Sequence, residues 1–339
     1  MQHRMGKGDL LDPQGHLIER GWANAEVRRY DRRAIRTSGW RIKEWDYYCI
    51  TTDHYALGLT VADNGYLGFL GLSWIDLEAE TAVNHGAVKP FPFGRMALPA
   101  SADSGDIDQR QGDIHLSFHL EHGVRLLSFE APGFRAGAGL SGEIRLTQLD
   151  EDRMVIATPF ADAPRAFYYN QKINCMPASG EVVLAGKAIR FEPDSAFAVL
   201  DWGRGVWTYN NTWYWASASG LLGQRRFGFN LGYGFGDTSA ASENMLFLDG
   251  KAQKLDRVLF HMPEGSPDSA PWHITSNDGR LDIRFDPAVD RFEKVDLGLF
   301  RTVQQQVFGR FSGTAIADDG EVLEFTGLTG FAEKVHNRW

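Results

Sequence analysis

Cysteine is nearly missing from this chain of 339 residues: Cys49 and Cys175 are its only two. Two distant thiols make neither a disulfide framework nor a paired zinc pattern, and such usage fits a reducing cytoplasm. No run approaches the roughly 18 apolar residues of a membrane span. The first residues, MQHRMGKGDLLDPQGHLIERGW, are basic with no apolar stretch behind them, so they do not read as a secretory signal. No basic block offsets the net charge of −9, which argues against a nucleic-acid backbone as partner. The chain also lacks HExxH, a Walker loop and a Gly-x-Ser-x-Gly elbow. GYGFGD has glycines but no helix after it, so a dinucleotide reading is poor. Nothing calls for a metal or a cofactor.

Aromatics and glycine are plentiful: 10 Trp, 10 Tyr, 22 Phe and 37 Gly. Aromatics suit strands and glycine suits turns and bulges, so the composition leans to β. Asn64-Gly65, Asp249-Gly250, Asp278-Gly279 and Asp319-Gly320 each sit between apolar or alternating runs. Asx-Gly supplies the positive φ angles of tight hairpins, so each predicts a turn. Ile114, Leu116, Phe118 and Leu120 alternate with His115, Ser117, His119 and Glu121, the pattern of a half-buried strand. Short helices are expected only near residues 20–37 and 241–246. These signals are those of an all-β, antiparallel sandwich or barrel, and the length favours two packed halves. The expected organisation is an N-terminal segment (1–37), one barrel-like half (38–195) and a second (196–339), divided after Phe191-Glu-Pro-Asp-Ser195.

The densest block is DWGRGVWTYNNTWYW at residues 201–215. Trp202, Trp207, Tyr209, Trp213 and Trp215 are candidate walls of a pocket for an apolar or aromatic small molecule. In a strand, Trp213 and Trp215 share a face and Tyr214 points the other way. In RRFGFNLGYGFGD, Phe227, Phe229, Leu231, Tyr233 and Phe235 fill one face. Gly228, Asn230, Gly232, Gly234 and Gly236 line the other, leaving room for the indoles or for a ligand. Asn230 is that face's one side chain with hydrogen-bonding reach. Asp201 and Arg204 among tryptophans read as an ion pair across a glycine turn, or as polar groups of the pocket. A carboxyl in an apolar wall has a raised pKa and can act as an acid near neutrality. Asp201, Asp237 and Glu243 are the three candidates; Arg204 and Asn244 are candidate binding residues.

His115, His119 and His122 would make a metal triad only on a helix. On a strand, four residues span about 13 Å, so a solvated histidine face is the better reading. Cys175 could be a nucleophile, but a buried apolar thiol is the default.

FYYNQKINCMPASGEV, LDWGRGVW, NNTWYWASASG, GFNLGYGF, SENMLFLDG and the closing GFAEKVHNRW, in that order, resemble the bacterial domain of unknown function 2804 family. The resemblance covers nearly the whole chain from about residue 12. It implies a distant likeness to calycin-like proteins built from two lipocalin-type barrels, a group that includes carotenoid hydratases of the hydroxyneurosporene synthase type, tocopherol cyclases and fungal cyclases. It implies a hydrophobic cleft between or inside the halves and carries over no catalytic residue. Three functions compete: cofactor-free proton-transfer chemistry on an apolar unsaturated molecule, a non-catalytic lipophile carrier or sensor, and carbohydrate binding by exposed tryptophans.

Overall fold

A computed structural model describes residues 2–148, 150–296 and 301–338. Its strands form one nearly closed barrel and one half-barrel sheet, and helix is confined to three short turns. The four Asx-Gly sites are turns. Asp249 and Gly250 both have positive φ (48° and 79°) and join Met245–Leu248 to Lys251–Lys254 in a two-residue hairpin, as a primed turn requires.

The first sheet begins with the meander Ile42–Thr51, Tyr55–Asp63, Leu67–Asp76 and Thr81–Pro90. Strand Phe197–Val206 pairs with Ile42–Thr51 on one side and with the long strand Ala163–Leu184 on the other. The hairpins of Ile107–Gln111, Ile114–Glu121, Val124–Ala131 and Leu140–Thr147 then extend the sheet from the second half of Ala163–Leu184. The half-barrel sheet runs from Asn210–Leu222 and Arg225–Tyr233 to the long antiparallel strands Leu281–Asp296, Arg301–Ile316 and Val322–Arg338.

Three readings are corrected here. The chain changes sheets at residues 207–209 rather than at 195, because Phe197–Val206 completes the first sheet. Residues 241–246 form no helix; they lead extended into Met245–Leu248. And residues 201–206 are strand, not a glycine turn. Within residues 20–37, the one helical element is the single turn Arg32–Ala34.

Each sheet buries its own core. Leu200, Trp202 and Val206 point into the barrel, and Phe227, Phe229 and Leu231 into the core of the half-barrel. A third, smaller cluster (Tyr47, Cys49, Val199, Trp215, Phe308 and Phe331 among its members) lies where the outer faces of the two sheets meet. This junction positions the site.

A cavity between the sheets with buried carboxyls

Two cross-strand rows face each other across the junction. On the first sheet, Lys172, Asp201 and Tyr47 lie directly opposite one another on adjacent strands. On the second, Arg291, Gln306, Glu333 and Trp215 do the same. Directly opposed side chains on one face are about 4.5–5.5 Å apart at Cβ, so each row is a polar line across a mostly apolar surface. The rows touch: the Lys172 ammonium sits 3.8 Å from the centre of the Trp215 ring, and Tyr47 Oη donates to Gln306 Oε1 at 3.3 Å.

Lys172 Nζ is 2.8 Å from Asp201 Oδ2, and Asn170 Nδ2 donates to Asp201 Oδ1 at 2.6 Å. Glu333 has no cationic partner of this kind among the described residues. Its Oε1 accepts from Trp213 Nε1 and its Oε2 from Gln306 Nε2, both at 3.1 Å. Burial pushes its carboxyl up to about 7, against the downward pull of the Trp213 N–H and of Lys172. Glu243, just before Met245–Leu248, is also raised by burial, with Lys172 pulling the other way. Desolvation outweighs attraction at both.

These groups open onto a cavity of about 920 Å³, walled by Trp45, Tyr168, Trp207, Trp213, Trp215 and Phe235. That is the upper end of the range for small-molecule sites. Gly203 makes one wall possible: a Cβ there would fall 1.9 Å from the Trp45 indole. Trp207, Trp213 and Tyr168 each meet the Phe235 ring edge-on.

Of the residues singled out from sequence, Asp201, Glu243, Trp207, Trp213 and Trp215 line this cavity. Trp202 and Arg204 do not. Side chains alternate along a strand, so they point into the barrel interior, opposite to Asp201. There Arg204 Nη2 pairs with Asp46 Oδ1 at 2.8 Å and the guanidinium stacks on Trp202, 4.1 Å from the ring centre. Asp201 and Arg204 therefore form no pair. Tyr209 is exposed at the switch between sheets, outside the lining. Asp237 is a loop residue outside the cavity lining: its carboxylate accepts from the Ser239 N–H, lies 3.4 Å from Arg20 and is held below the ordinary range, first by that N–H.

Asn230 and Asn244 are buried joints. Asn230 accepts from Trp215 Nε1 at 2.7 Å and donates to the Glu243 carbonyl; Asn244 accepts from the Gly232 N–H and donates to the Asp256 carbonyl. The bare glycine face is filled: the Trp215 indole, directly opposite Gly232, reaches Asn230 on it, and other side chains take the rest. A Cβ at Gly228 would meet Cys175 Sγ at 2.5 Å, and one at Gly232 would meet the Glu243 carboxyl at 2.8 Å. Phe235 lies past the end of Arg225–Tyr233 and turns into the cavity instead of joining Phe227 and Phe229.

The three histidines pair with surface carboxylates, His115 with Asp108, His119 with Asp106 and Glu121, and His122 with Glu121. Cys175 is buried and its thiol is pushed up to about 12 by desolvation. Sequence reasoning passed over Lys172, Arg291, Gln306 and Glu333. Lys172 and Glu333 do fall in motifs that carry the family resemblance (YNQKIN and GFAEKV), which was the one signal available.

Two antiparallel sheets, one a nearly closed barrel and one a half-barrel, enclose a polar-floored, aromatic-walled cavity and define a barrel-type all-β fold. The chain belongs to the family described as Domain of unknown function (DUF2804), which it matches over residues 2–339. Its fold is similar to that of a putative AttH from Nitrosomonas europaea (TM-score 0.56, 14% identity, 92% of this chain and 98% of that one). It is similar also to CghA in a crystal structure with Sch210972 (TM-score 0.54, 13% identity, 100% and 97%) and to CghA in a further crystal structure (TM-score 0.52, 12% identity, 98% and 97%). No curated protein sequence matches the chain.

Proposed function

We propose that this protein takes an apolar, unsaturated small molecule into the cavity between its sheets and catalyses cofactor-free proton transfer to it, as in hydration, isomerisation or cyclisation. The observation that carries this reading is Glu333: a buried carboxyl poised near neutrality, facing an aromatic-walled space. A general acid is most effective with its pKa near the working pH. Glu333 gives its proton to an alkene carbon, whose π pair becomes the new C–H bond. The cation left behind is shielded by the faces of Trp213, Trp215 and Trp207. Water then adds and returns a proton to the carboxylate, or the cation, directly or after closing on a second double bond, loses a neighbouring proton to the carboxylate. Asp201, neutralised by Lys172, holds that ammonium against Trp215; Glu243 is the second candidate acid. That a protein of this fold was crystallised with a small molecule, Sch210972, supports the ligand-binding half of the reading.

The test is incubation in heavy water with a panel of isoprenoid and polyketide alkenes, followed by mass spectrometry. Wild type should place deuterium on carbon; Glu333→Gln should bind equally and place none. Tight binding with no deuterium and no product from wild type would make the protein a carrier and end the catalytic reading.

A further inference from the structure

We infer that Gln306 is a positioning residue, locked by Arg291, that fixes the direction in which Glu333 presents its proton. This deepens the reading above and rests on it only for the identity of the acid.

A glutamine amide can usually face either way, but here its neighbours decide. Arg291 Nη1 lies 2.6 Å from one Gln306 side-chain atom, and a guanidinium only donates, so that atom is the carbonyl oxygen. Tyr47 Oη donates to the same oxygen. Arg291 is itself anchored, its Nε donating to Asn84 Oδ1 at 2.9 Å, an oxygen that also accepts from Ser73 Oγ at 2.8 Å. The Gln306 NH₂ must then face Glu333 Oε2, and the side chain, with 0% exposure, has no room to turn.

The consequence falls on Glu333. Its other oxygen is held by the Trp213 indole N–H, also donor-only. Both partners give hydrogen bonds and neither can take one. When Glu333 is protonated, its O–H finds no acceptor in Gln306 or Trp213 and turns to the cavity that the carboxyl lines. The charged and titratable groups around it are Lys172 and Tyr168 from Ala163–Leu184, Asp201 from Phe197–Val206 and Arg291 from Leu281–Asp296. Tyr47, whose hydroxyl reaches Gln306, and Cys49, both from Ile42–Thr51, complete the set. Lys172 and Arg291 favour the carboxylate and Asp201 opposes it. None of these makes a described hydrogen bond to Glu333, so the two donors alone set its orientation.

The experiment follows the Trp213 indole N–H by ¹⁵N NMR across pH, with the signal assigned by Trp213→Phe. In wild type it should titrate with Glu333 and stop titrating in Glu333→Gln. Gln306→Met removes the N–H that favours the carboxylate, so the midpoint should rise by about one pH unit. Gln306→Glu keeps the shape, restores an acceptor for Arg291 and serves if the first variant fails to fold. It places a second carboxyl beside the first, so the midpoint should again rise. Deuterium transfer at the low-pH plateau should fall about tenfold in Gln306→Met while binding holds. An unchanged Trp213 midpoint in both variants overturns the inference. A shifted midpoint in a protein that turns nothing over would uphold the positioning and defeat only the catalytic reading.

Discussion

Removing the Glu333 carboxyl should flatten the pH dependence of folding stability, in a direction and by an amount the structure sets. Burial raises this carboxyl to about 7 from its ordinary 4.5. The native state therefore holds the proton more tightly than the unfolded chain. Below pH 4.5 both states are protonated and the stability is fully present. As pH rises towards 7 the unfolded chain releases its proton first, and stability is lost until the native carboxyl has ionised too. At 1.36 kcal/mol per pH unit the full loss is about 3 kcal/mol, most of it between pH 5 and pH 8. Glu333→Gln is neutral throughout and escapes this loss. The substituted amide has a single acceptor oxygen for two donors, Trp213 Nε1 and Gln306 Nε2, and mispairing one costs about 1–3 kcal/mol. That cost does not vary with pH, so a comparison at two pH values cancels it. Urea unfolding at pH 5 and pH 8, followed by circular dichroism, should show wild type losing about 2 kcal/mol more than the variant over that interval. Glu243, present in both proteins, drops out of the difference. Parallel pH profiles would mean that Glu333 ionises at an ordinary pH, and the proposed acid would go with it.

Two further outcomes test the frame around the site. Arg204→Met strands the Asp46 carboxylate inside the barrel and should lower stability by about 3–5 kcal/mol in urea titration; a loss under 1 kcal/mol would show that the pair is not isolated from water. Gly228→Ala puts a methyl 2.5 Å from both Cys175 Sγ and the Ala218 carbonyl oxygen, where the sheets pack. It should cost about 1–3 kcal/mol in the same assay, and a neutral result would mean that the contact between sheets is loose.

Local chemistry was legible in the sequence, and long-range register was not. The Asx-Gly turns and the alternation of Ile114–Glu121 are decided within a few residues, and both are read from the chain alone. The same alternation rule, applied to residues 201–206, would have parted Asp201 from Arg204; a glycine-turn reading of Trp-Gly-Arg-Gly hid a strand in which Gly203 clears space for Trp45. The bare face of Gly228 and Gly232 was visible, and so was the Trp215 indole that reaches Asn230 on it; Cys175 and Glu243, which fill the rest, come from far along the chain or the next loop. The row Arg291–Gln306–Glu333–Trp215 depends on the pairing of four strands. A one-residue slip in any of them would turn its member to the opposite face. No local signal contains that information, so Glu333 is not among the three carboxyls that the sequence offers.

The buried charges of this protein fall into two kinds, and the difference separates support from chemistry. Inside the barrel, Arg204 meets Asp46 and spends its remaining N–H groups on the carbonyls of Trp45, Gly203 and Pro99. That set is closed: each guanidinium nitrogen has a fixed acceptor and nothing is left to offer a ligand. Beside the cavity, Glu333 and Glu243 form no ion pair among the described residues, and burial raises both. A fold selected only for stability gains nothing from such carboxyls, since apolar groups of the same volume would pack there at lower cost. The partners of Glu333 are both donors, so the proton of its neutral form turns to the cavity. On the proposed reading, the open side of Glu333, more than its burial or its altered titration, suits it to proton transfer, whereas Arg204 is wholly engaged within the barrel.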